Sequence, residues 1–136
     1  MGEITMSKLI VMIGISGSGK TTIAKTMAER YDAVIHSADI IREELYTSAD
    51  VQGNPRVVFG ILNSRIKKSL ENGENVIIDN TNTTSSARKS LFKLGDIDEK
   101  IAVVIDCTVE QAMKNQENRE RKVPLEVVEK QYNQLQ

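Results

Sequence analysis

The chain has 136 residues, of which 40% are hydrophobic, 27% charged and 4% aromatic, and its formal net charge at pH 7 is −1. These values are typical of one globular domain spanning residues 1–136, and they favour neither a disordered chain nor a membrane protein. A near-zero net charge provides no overall field to attract a polyanion, and scarce aromatic residues argue against an extended base-stacking surface. Any contact with nucleic acid is therefore expected to be local.

Two features that the sequence lacks bear on the cellular location of the protein. No apolar run reaches the roughly 20 residues that a membrane-spanning helix needs. The N-terminus lacks the features of a signal peptide, because Lys8–Ile13 has the length of a strand and leads straight into a glycine-rich loop. We therefore expect a cytoplasmic protein without membrane contact. The one cysteine, Cys107, cannot form an internal disulfide, and its place at the end of a β-like run favours a small buried hydrophobe over a nucleophile.

Strand and helix signals alternate along the chain, which predicts a parallel sheet with helices on both faces. Strands are expected at Lys8–Ile13, Ala33–His36, residues 75–79 and residues 101–107. Helices are expected at residues 20–30, 39–45, 56–72, 83–94 and 109–121, with a polar loop at 47–55 and a final amphipathic helix after Pro124.

Apolar residues recur at helical spacing in three of these helices, which indicates the faces that turn toward the core. The inward positions are Ile23, Ala24, Met27 and Ala28 in the first helix, Val58, Ile61, Leu62, Arg65, Ile66 and Leu70 in the long helix, and Leu125, Val128, Tyr132 and Leu135 in the last helix.

A glycine-rich loop directly follows the first predicted strand and opens into a helix. Its sequence matches the pattern G-x-x-x-x-G-K-[ST], whose backbone N–H groups turn inward around phosphate. Lys20 can reach the β- and γ-phosphate oxygens, and the Thr21 hydroxyl can bind Mg²⁺. The alternative is a strand-to-helix turn without a ligand. We expect ATP to bind at Gly14, Ser16, Gly17, Ser18, Gly19, Lys20, Thr21 and Thr22.

An acidic residue ends the predicted strand at residues 75–79. Enzymes with a phosphate-binding loop hold Mg²⁺ between the loop hydroxyl and an acid at the tip of a neighbouring strand, and Asp79 fits that position beside Thr21. The alternative is a turn residue in the run from Asp79 to Asn82, because Asp and Asn favour turns. Thr81 and Asn82 are expected at the same carboxyl edge, where open α/β sheets bind their ligands.

A second acid follows the second predicted strand, where Asp39 begins a helix and Arg42 lies three residues further on. Both side chains can face one way. In phosphoryl transfer to a hydroxyl, a carboxylate must orient the acceptor and take its proton, which Asp39 can do. The alternative is a helix cap with a local ion pair.

Three basic residues, Arg119, Arg121 and Lys122, cluster between the last two predicted helices. Such a run is often a solvated surface. Phosphoryl transfer, however, needs cationic groups over the β/γ-phosphates, and a basic segment between helices can close over a nucleotide. The cluster therefore predicts a lid.

Taken together, these segments resemble the P-loop polynucleotide kinases and their close relatives. The resemblance rests on the glycine-rich loop, on residues 37–42, on residues 76–82 followed by Arg88, and on residues 115–124. It implies a three-layer α/β P-loop NTPase fold of the kinase type, with a mostly parallel sheet of four to five strands and a C-terminal helical lid. Relatives continue into a further strand, so a bare sheet edge and a homo-oligomer are expected.

The resemblance also implies roles for individual residues, with ATP and Mg²⁺ as cofactors. Asp39 corresponds to the general base for a 5′-hydroxyl, and Arg42 to the arginine that contacts the acceptor-end phosphate. Arg119, with Arg121 as a second candidate, corresponds to the lid arginines that stabilise the transferring phosphoryl group, and Lys20 neutralises the same charge. No phosphatase or ligase domain accompanies these segments, so a complete end-healing function is not expected.

The sequence favours an ATP-dependent kinase acting on the 5′-hydroxyl of a polynucleotide. Two alternatives remain. The neutral charge and scarce aromatics also suit a kinase for a small molecule or an aminoacylated tRNA. A regulatory module could bind ATP and transfer nothing, in which case Asp39 would be only a helix cap.

Overall fold

The computed structural model describes residues 7–46, 53–95, 97–117 and 123–135. Four parallel strands form one sheet in the order β2-β3-β1-β4. The strands are β1 (Lys8–Ile13), β2 (Ala33–His36), β3 (Asn75–Ile78) and β4 (Glu99–Val104). The helices are α1 (Lys20–Tyr31), α2 (Ala38–Tyr46), α3 (Pro55–Glu71), α4 (Ser85–Leu91), α5 (Val109–Asn115) and α6 (Leu125–Leu135). The predicted α/β class with a parallel sheet is confirmed.

The sheet is covered on both faces, as the near-continuous apolar sequence of β1 requires. Alternate side chains of β1 point to opposite sides because the side-chain period of a strand is two residues. Leu9 and Val11 pack in a core cluster with residues of α2 and α3, whereas Ile10 and Met12 pack in a second cluster with residues of α1. Two helical layers therefore enclose the central sheet, which gives three layers in all.

The strand order brings the two chemically important strand ends together. β1 and β3 are hydrogen-bonded neighbours with Val11 opposite Ile78, so the loops after them begin at the same edge. The Gly14 N–H donates to the Thr81 carbonyl at 3.0 Å, which joins these two loops directly. The glycine-rich loop and Asp79 consequently lie side by side.

The fourth strand begins and ends earlier than the expected residues 101–107. Its start is fixed by Asp98 and Glu99, whose N–H groups both donate to the Ser7 carbonyl. Pairing with β1 ends at the hydrogen bond that the Ile105 N–H donates to the Ile13 carbonyl at 2.8 Å. The β-like sequence pattern at 101–107 therefore extends beyond the segment that pairs with β1. Cys107 falls outside β4 and is partly buried, and it packs against a core cluster that includes Ala112 and Val128.

Several helix boundaries differ from the prediction, and side-chain caps account for the starts of α2 and α4. The Ser37 hydroxyl accepts the Ile40 N–H at 3.1 Å, so α2 begins one residue early. Thr84 caps α4, which ends at Leu91 instead of residue 94. α5 ends at Asn115, and the rest of the predicted helix at 118–121 lies outside the described residues.

The helices bury narrower faces than their apolar patterns predict. Ile23 of α1 is 38% exposed and Leu125 of α6 is 46% exposed, so these two positions do not belong to the core. The neighbouring Ala24 and Val128 are fully buried. Within the four described ranges, every helix is too short or too polar to cross a membrane.

Candidate active site

The glycine-rich loop lies tightly against α5. Gly17 has φ +86°, and a Cβ there would lie 2.4 Å from the Ala112 carbonyl oxygen, so only glycine fits. The Asn115 side-chain amide donates to the Gly17 carbonyl at 2.8 Å and fixes the loop from the same side. Gly19 has φ +97° and immediately precedes α1. The loop conformation therefore depends on glycines at two positions of the motif.

Lys20 is the first residue of α1 and is only 8% exposed. Its ammonium group donates to the Ile15 carbonyl at 2.9 Å, which holds the side chain back across the loop. A buried ammonium group is costly unless it has polar partners. The loop therefore places a cation among its own backbone groups, where phosphate oxygens would also be bound.

Thr21 and Asp79 form the predicted metal-binding pair. The Thr21 hydroxyl donates to the Asp79 carboxylate at 2.8 Å, although the two residues lie on α1 and after β3. Mg²⁺ binds to oxygen ligands and commonly uses one or two protein groups, with phosphates and water completing its shell. The donor set fits Mg²⁺. Among the described residues there is no group of three or more His, Cys, Asp or Glu side chains that could hold a metal ion.

Asp39 and Arg42 lie on α2 and line the same cleft as the loop. The Arg42 Nη1 donates to the Asp39 carboxylate at 3.0 Å. Because the Ser37 hydroxyl caps α2, the alternative of Asp39 as that cap is wrong, whereas the local ion pair is present. The Arg42 side chain is 12% exposed and lies over the Phe59 ring at 6.0 Å from its centroid. Its Nε is buried and has no hydrogen-bond partner among the described residues.

Asn80 fixes α2 to the strand ends. Its side-chain oxygen accepts the Ala38 N–H at 2.9 Å, at the first residue of α2. The Asp79 N–H donates to the His36 carbonyl at 3.0 Å, which secures the same connection from β2. Sequence reasoning treated Asn80 only as a turn residue. A side-chain oxygen that follows a buried strand is the one signal that could have suggested it.

Asn82 and Arg88 support the other side of the strand ends. Asn82 has φ +47°, a conformation that asparagine tolerates better than most residues. Its buried side chain donates to the Met12 carbonyl at 2.8 Å, and Arg88 donates to the Asn82 carbonyl at 2.9 Å. Both residues therefore hold the loop after β3 against β1.

The C-terminal helix α6 contributes a contact that sequence reasoning missed. The Gln131 side-chain oxygen accepts the backbone N–H of Ser16, in the glycine-rich loop, at 2.7 Å. Shortly before α6, Val123 is anchored by the buried Gln116, whose side-chain oxygen accepts the Val123 N–H at 2.7 Å. No local pattern marks Gln131, because it lies in a polar stretch 115 residues from its partner.

These elements enclose a cleft of about 1400 Å³. Most of the predicted site residues line it, namely Ser16, Gly17, Gly19, Lys20, Thr21, Asp39, Arg42 and Asp79. Three predicted site residues are not among those that line the cleft, namely Gly14 and Ser18 of the loop and Thr22 of α1. The predicted lid residues Arg119 and Arg121, and most of the loop at 47–55, lie outside the described residues.

Comparisons with proteins of known sequence give relatives at low identity. The chain is 29% identical to the L-seryl-tRNA(Sec) kinase of Methanococcus maripaludis over 131 residues, covering 91% of this chain and 51% of that protein. It is 29% identical to an adenylate kinase of Nitratiruptor over 129 residues, covering 85% of this chain and 66% of that protein. The chain thus spans about half to two thirds of these relatives.

Solved structures show the same fold. A chain of the Pnkp1/Rnl/Hen1 RNA repair complex matches with a TM-score of 0.83 at 23% identity, covering 98% of this chain and 45% of that chain. A gluconokinase from Sinorhizobium meliloti matches with a TM-score of 0.65 at 18% identity, covering 99% and 77%. The sequence model of the AAA_33 family, an AAA domain, matches residues 9–136. The chain therefore belongs to the AAA_33 family, with the α/β fold of P-loop kinases.

Proposed function

We propose that this protein is an ATP-dependent kinase that transfers the γ-phosphate to the 5′-hydroxyl of a polynucleotide. The observation that carries the proposal is the placement of Asp39 and Arg42, on α2, in the same cleft as the glycine-rich loop. A carboxylate and a guanidinium opposite a phosphate-binding loop provide a place for an acceptor hydroxyl and for an adjacent anion.

At the donor end, the chain supplies backbone N–H groups and one buried cation. The N–H groups of the loop bind phosphate oxygens, and Lys20 neutralises charge that develops on the transferring group. Thr21 and Asp79 would hold Mg²⁺, which when bound neutralises charge on the phosphates. Arg119 and Arg121 are proposed to add positive charge from the lid.

At the acceptor end, Asp39 takes the proton of the attacking hydroxyl. The Arg42 Nη1 orients the Asp39 carboxylate, and the buried Nε is a second donor that an acceptor phosphate oxygen would satisfy. Leaving a buried donor unsatisfied costs about 1–3 kcal/mol, so an anion there is favoured. The exposed side chains of Ile40 and Phe59 also line the cleft and offer an apolar surface to a nucleoside.

A kinase for a small molecule or a tRNA-linked hydroxyl is the second candidate. The net charge of −1, which provides no overall attraction for a polyanion, favours a small-molecule acceptor, and the similarity to L-seryl-tRNA(Sec) kinase favours a tRNA-linked one. A non-catalytic ATP-binding module would not need a carboxylate in this position. A polynucleotide kinase and a small-molecule kinase differ in salt dependence, because binding of a polynucleotide releases counterions and weakens as salt rises. A tRNA-linked acceptor is distinguished by which acceptor becomes labelled.

Transfer of label from γ-labelled ATP, with Mg²⁺, tests the proposal. The acceptors are a 5′-hydroxyl oligonucleotide, the same oligonucleotide already 5′-phosphorylated, serylated tRNA and a sugar acid. We expect label only on the 5′-hydroxyl strand, with a KM for that strand that rises with salt, and no label with Lys20→Ala. Label on another acceptor would support the second candidate, and ATP binding without any transfer would support the binding module.

A further inference from the structure

The contact between Gln131 and the glycine-rich loop carries an inference that rests on the proposed function. We propose that Gln131 is a positioning residue that competes with the nucleotide phosphates for the Ser16 N–H and thereby couples α6 to phosphate binding. The loop N–H groups are the donors that bind phosphate in this motif. One of them already donates to the Gln131 side-chain oxygen at 2.7 Å.

The two acceptors differ in strength. An amide oxygen is neutral, whereas phosphate oxygens are charged, and hydrogen bonds to charged acceptors are roughly twice as strong as neutral ones. A phosphate oxygen can therefore displace Gln131 from the Ser16 N–H. The exchange has a cost, because the existing hydrogen bond must be broken before the new one forms.

The rest of α6 explains why this exchange affects the middle of the helix. Val128, one turn before Gln131, is fully buried in a cluster with Ile15 and Ala112. Gln134, one turn after it, forms a hydrogen bond with the Thr83 hydroxyl. Gln131 is thus the α6 residue that contacts a loop N–H directly, between one apolar anchor and one polar anchor. Release of Gln131 would loosen the middle of α6 while leaving both anchors in place.

The position of Gln131 in the cleft also supports the coupling between α6 and phosphate binding. Gln131 lines the cleft together with Lys20, Val123 and Val127. The Gln116 side chain fixes Val123 at the other end of this wall. A substitution at Gln131 therefore alters the wall of the cleft that faces the loop.

Binding of ATP, ADP and adenosine to the full chain, measured by calorimetry with Mg²⁺, tests the proposal. Gln131→Met keeps the side-chain length and removes the amide oxygen. We expect Gln131→Met to bind ATP and ADP about three- to tenfold more tightly, which is the effect of one net hydrogen bond. Adenosine, which carries no phosphate, should bind with unchanged affinity.

Gln131→Glu changes the same contact in the opposite direction. Its carboxylate accepts the Ser16 N–H more strongly and repels phosphate, so ATP and ADP should bind at least about tenfold more weakly. Gln134→Glu is the matched control, because it makes the same charge change one turn along α6 at the contact with Thr83. The affinity of Gln134→Glu for ATP should stay within about twofold of the wild type, since Gln134 is not among the residues that line the cleft.

Unchanged or weaker ATP binding by Gln131→Met would overturn the proposal, as would an equal gain for adenosine, which would indicate a general structural effect. If the wild-type protein binds ATP but transfers no phosphate, the proposed function is contradicted. The competition at the Ser16 N–H is still supported in that case if Gln131→Met binds ATP more tightly than the wild type. If the wild type and both Gln131 variants bind no nucleotide, both proposals are overturned together.

Discussion

The folded environment of His36, at the end of β2, disfavours protonation of its ring. Its Nε2 lies 2.9 Å from the Ser69 hydroxyl, and the ring is half-buried. Burial, and then the positive charge of Arg65, hold the pKa of His36 below its ordinary value of about 6.5, against a smaller opposing effect of Glu74. Protonation therefore favours the unfolded chain.

The pH dependence of stability follows from this lowered pKa. Above about pH 6.5, His36 is neutral in the unfolded chain as well, and its contribution to the free energy of unfolding is complete. Below about pH 6.5 the unfolded chain binds a proton at His36 more readily than the folded protein does, so the free energy of unfolding decreases as pH falls. Urea titrations at several pH values between 5 and 7.5 should show this loss, and His36→Gln should reduce it. Because the chain has one histidine, an equal loss in His36→Gln would contradict the assignment.

Cys107 has a thiol that resists ionisation. Burial, and after it the charge of Asp106, raise the pKa of Cys107 above its ordinary value, although Lys20 acts in the opposite direction. The thiolate is the reactive form, so iodoacetamide at pH 8 should alkylate the folded protein several-fold more slowly than the urea-unfolded chain. Equal rates in the two states would show that the folded environment has no such effect.

The site residues differ in how far the sequence could predict them. Lys20 and Thr21 follow from one continuous motif, and Asp79 follows because an acid ends a buried strand. Asn80, whose partner N–H is 42 residues away in sequence, is marked only by its position after a buried strand. Gln131 could not be predicted, because it accepts a backbone N–H that is 115 residues away and leaves no local pattern.

At the scale of elements, the neighbouring positions of β1 and β3 create the proposed metal site. Thr21 follows the loop after β1, and Asp79 follows β3, so the hydrogen bond between them depends on the order of the strands. The pairing of Val11 with Ile78 sets the relative height of the two strand ends. The proposed metal site therefore forms at the carboxyl edge of the sheet, from residues that follow two neighbouring strands.

Asp79→Asn should raise the Mg²⁺ concentration needed for half-maximal phosphate transfer by about tenfold or more, because a neutral amide is a weaker ligand for Mg²⁺ than a carboxylate. Titration of activity with Mg²⁺ at fixed ATP measures this. Asp106→Asn is the matched control, since Asp106 also follows a strand but does not line the cleft. A similar Mg²⁺ requirement in the wild type and Asp79→Asn would contradict the assignment.

Element boundaries were predictable where sequence pattern and partners agree. The bounds of β1 and β2 match the prediction, because each short apolar run coincides with its ladder of backbone hydrogen bonds. The predicted β4 starts two residues late and ends three residues late, and its end is late because residues 105–107 keep a β-like pattern beyond the last pairing with β1. Propensity indicates where a strand is favourable, whereas its ends depend on the neighbouring strand.

At the scale of the whole molecule, β4 forms one edge of the sheet. It pairs with β1 on one side, and no strand within the described ranges pairs with the other. Val104 near its end is 64% exposed. Unpaired edges with exposed apolar residues favour association with another chain, so we expect a homo-oligomer.

Light scattering over a range of protein concentrations tests this expectation. The wild-type protein should show a dimer or a larger species, and Val104→Lys should shift it toward the monomer, because charge on an edge strand opposes pairing. The circular dichroism of Val104→Lys serves as the control for folding. A wild-type protein that stays monomeric at the highest concentration would remove the expectation.

The central claim is that Asp39 takes the acceptor proton in a cleft where the glycine-rich loop holds ATP. The most direct test compares ATP affinity with the turnover of phosphate transfer in Asp39→Asn. Glu44→Gln serves as the matched control, since Glu44 lies on the same helix but pairs with Arg65 of α3. We predict that Asp39→Asn lowers kcat by about 10²-fold or more with ATP affinity close to wild type, while Glu44→Gln retains activity. Turnover by Asp39→Asn at the wild-type rate would contradict the account.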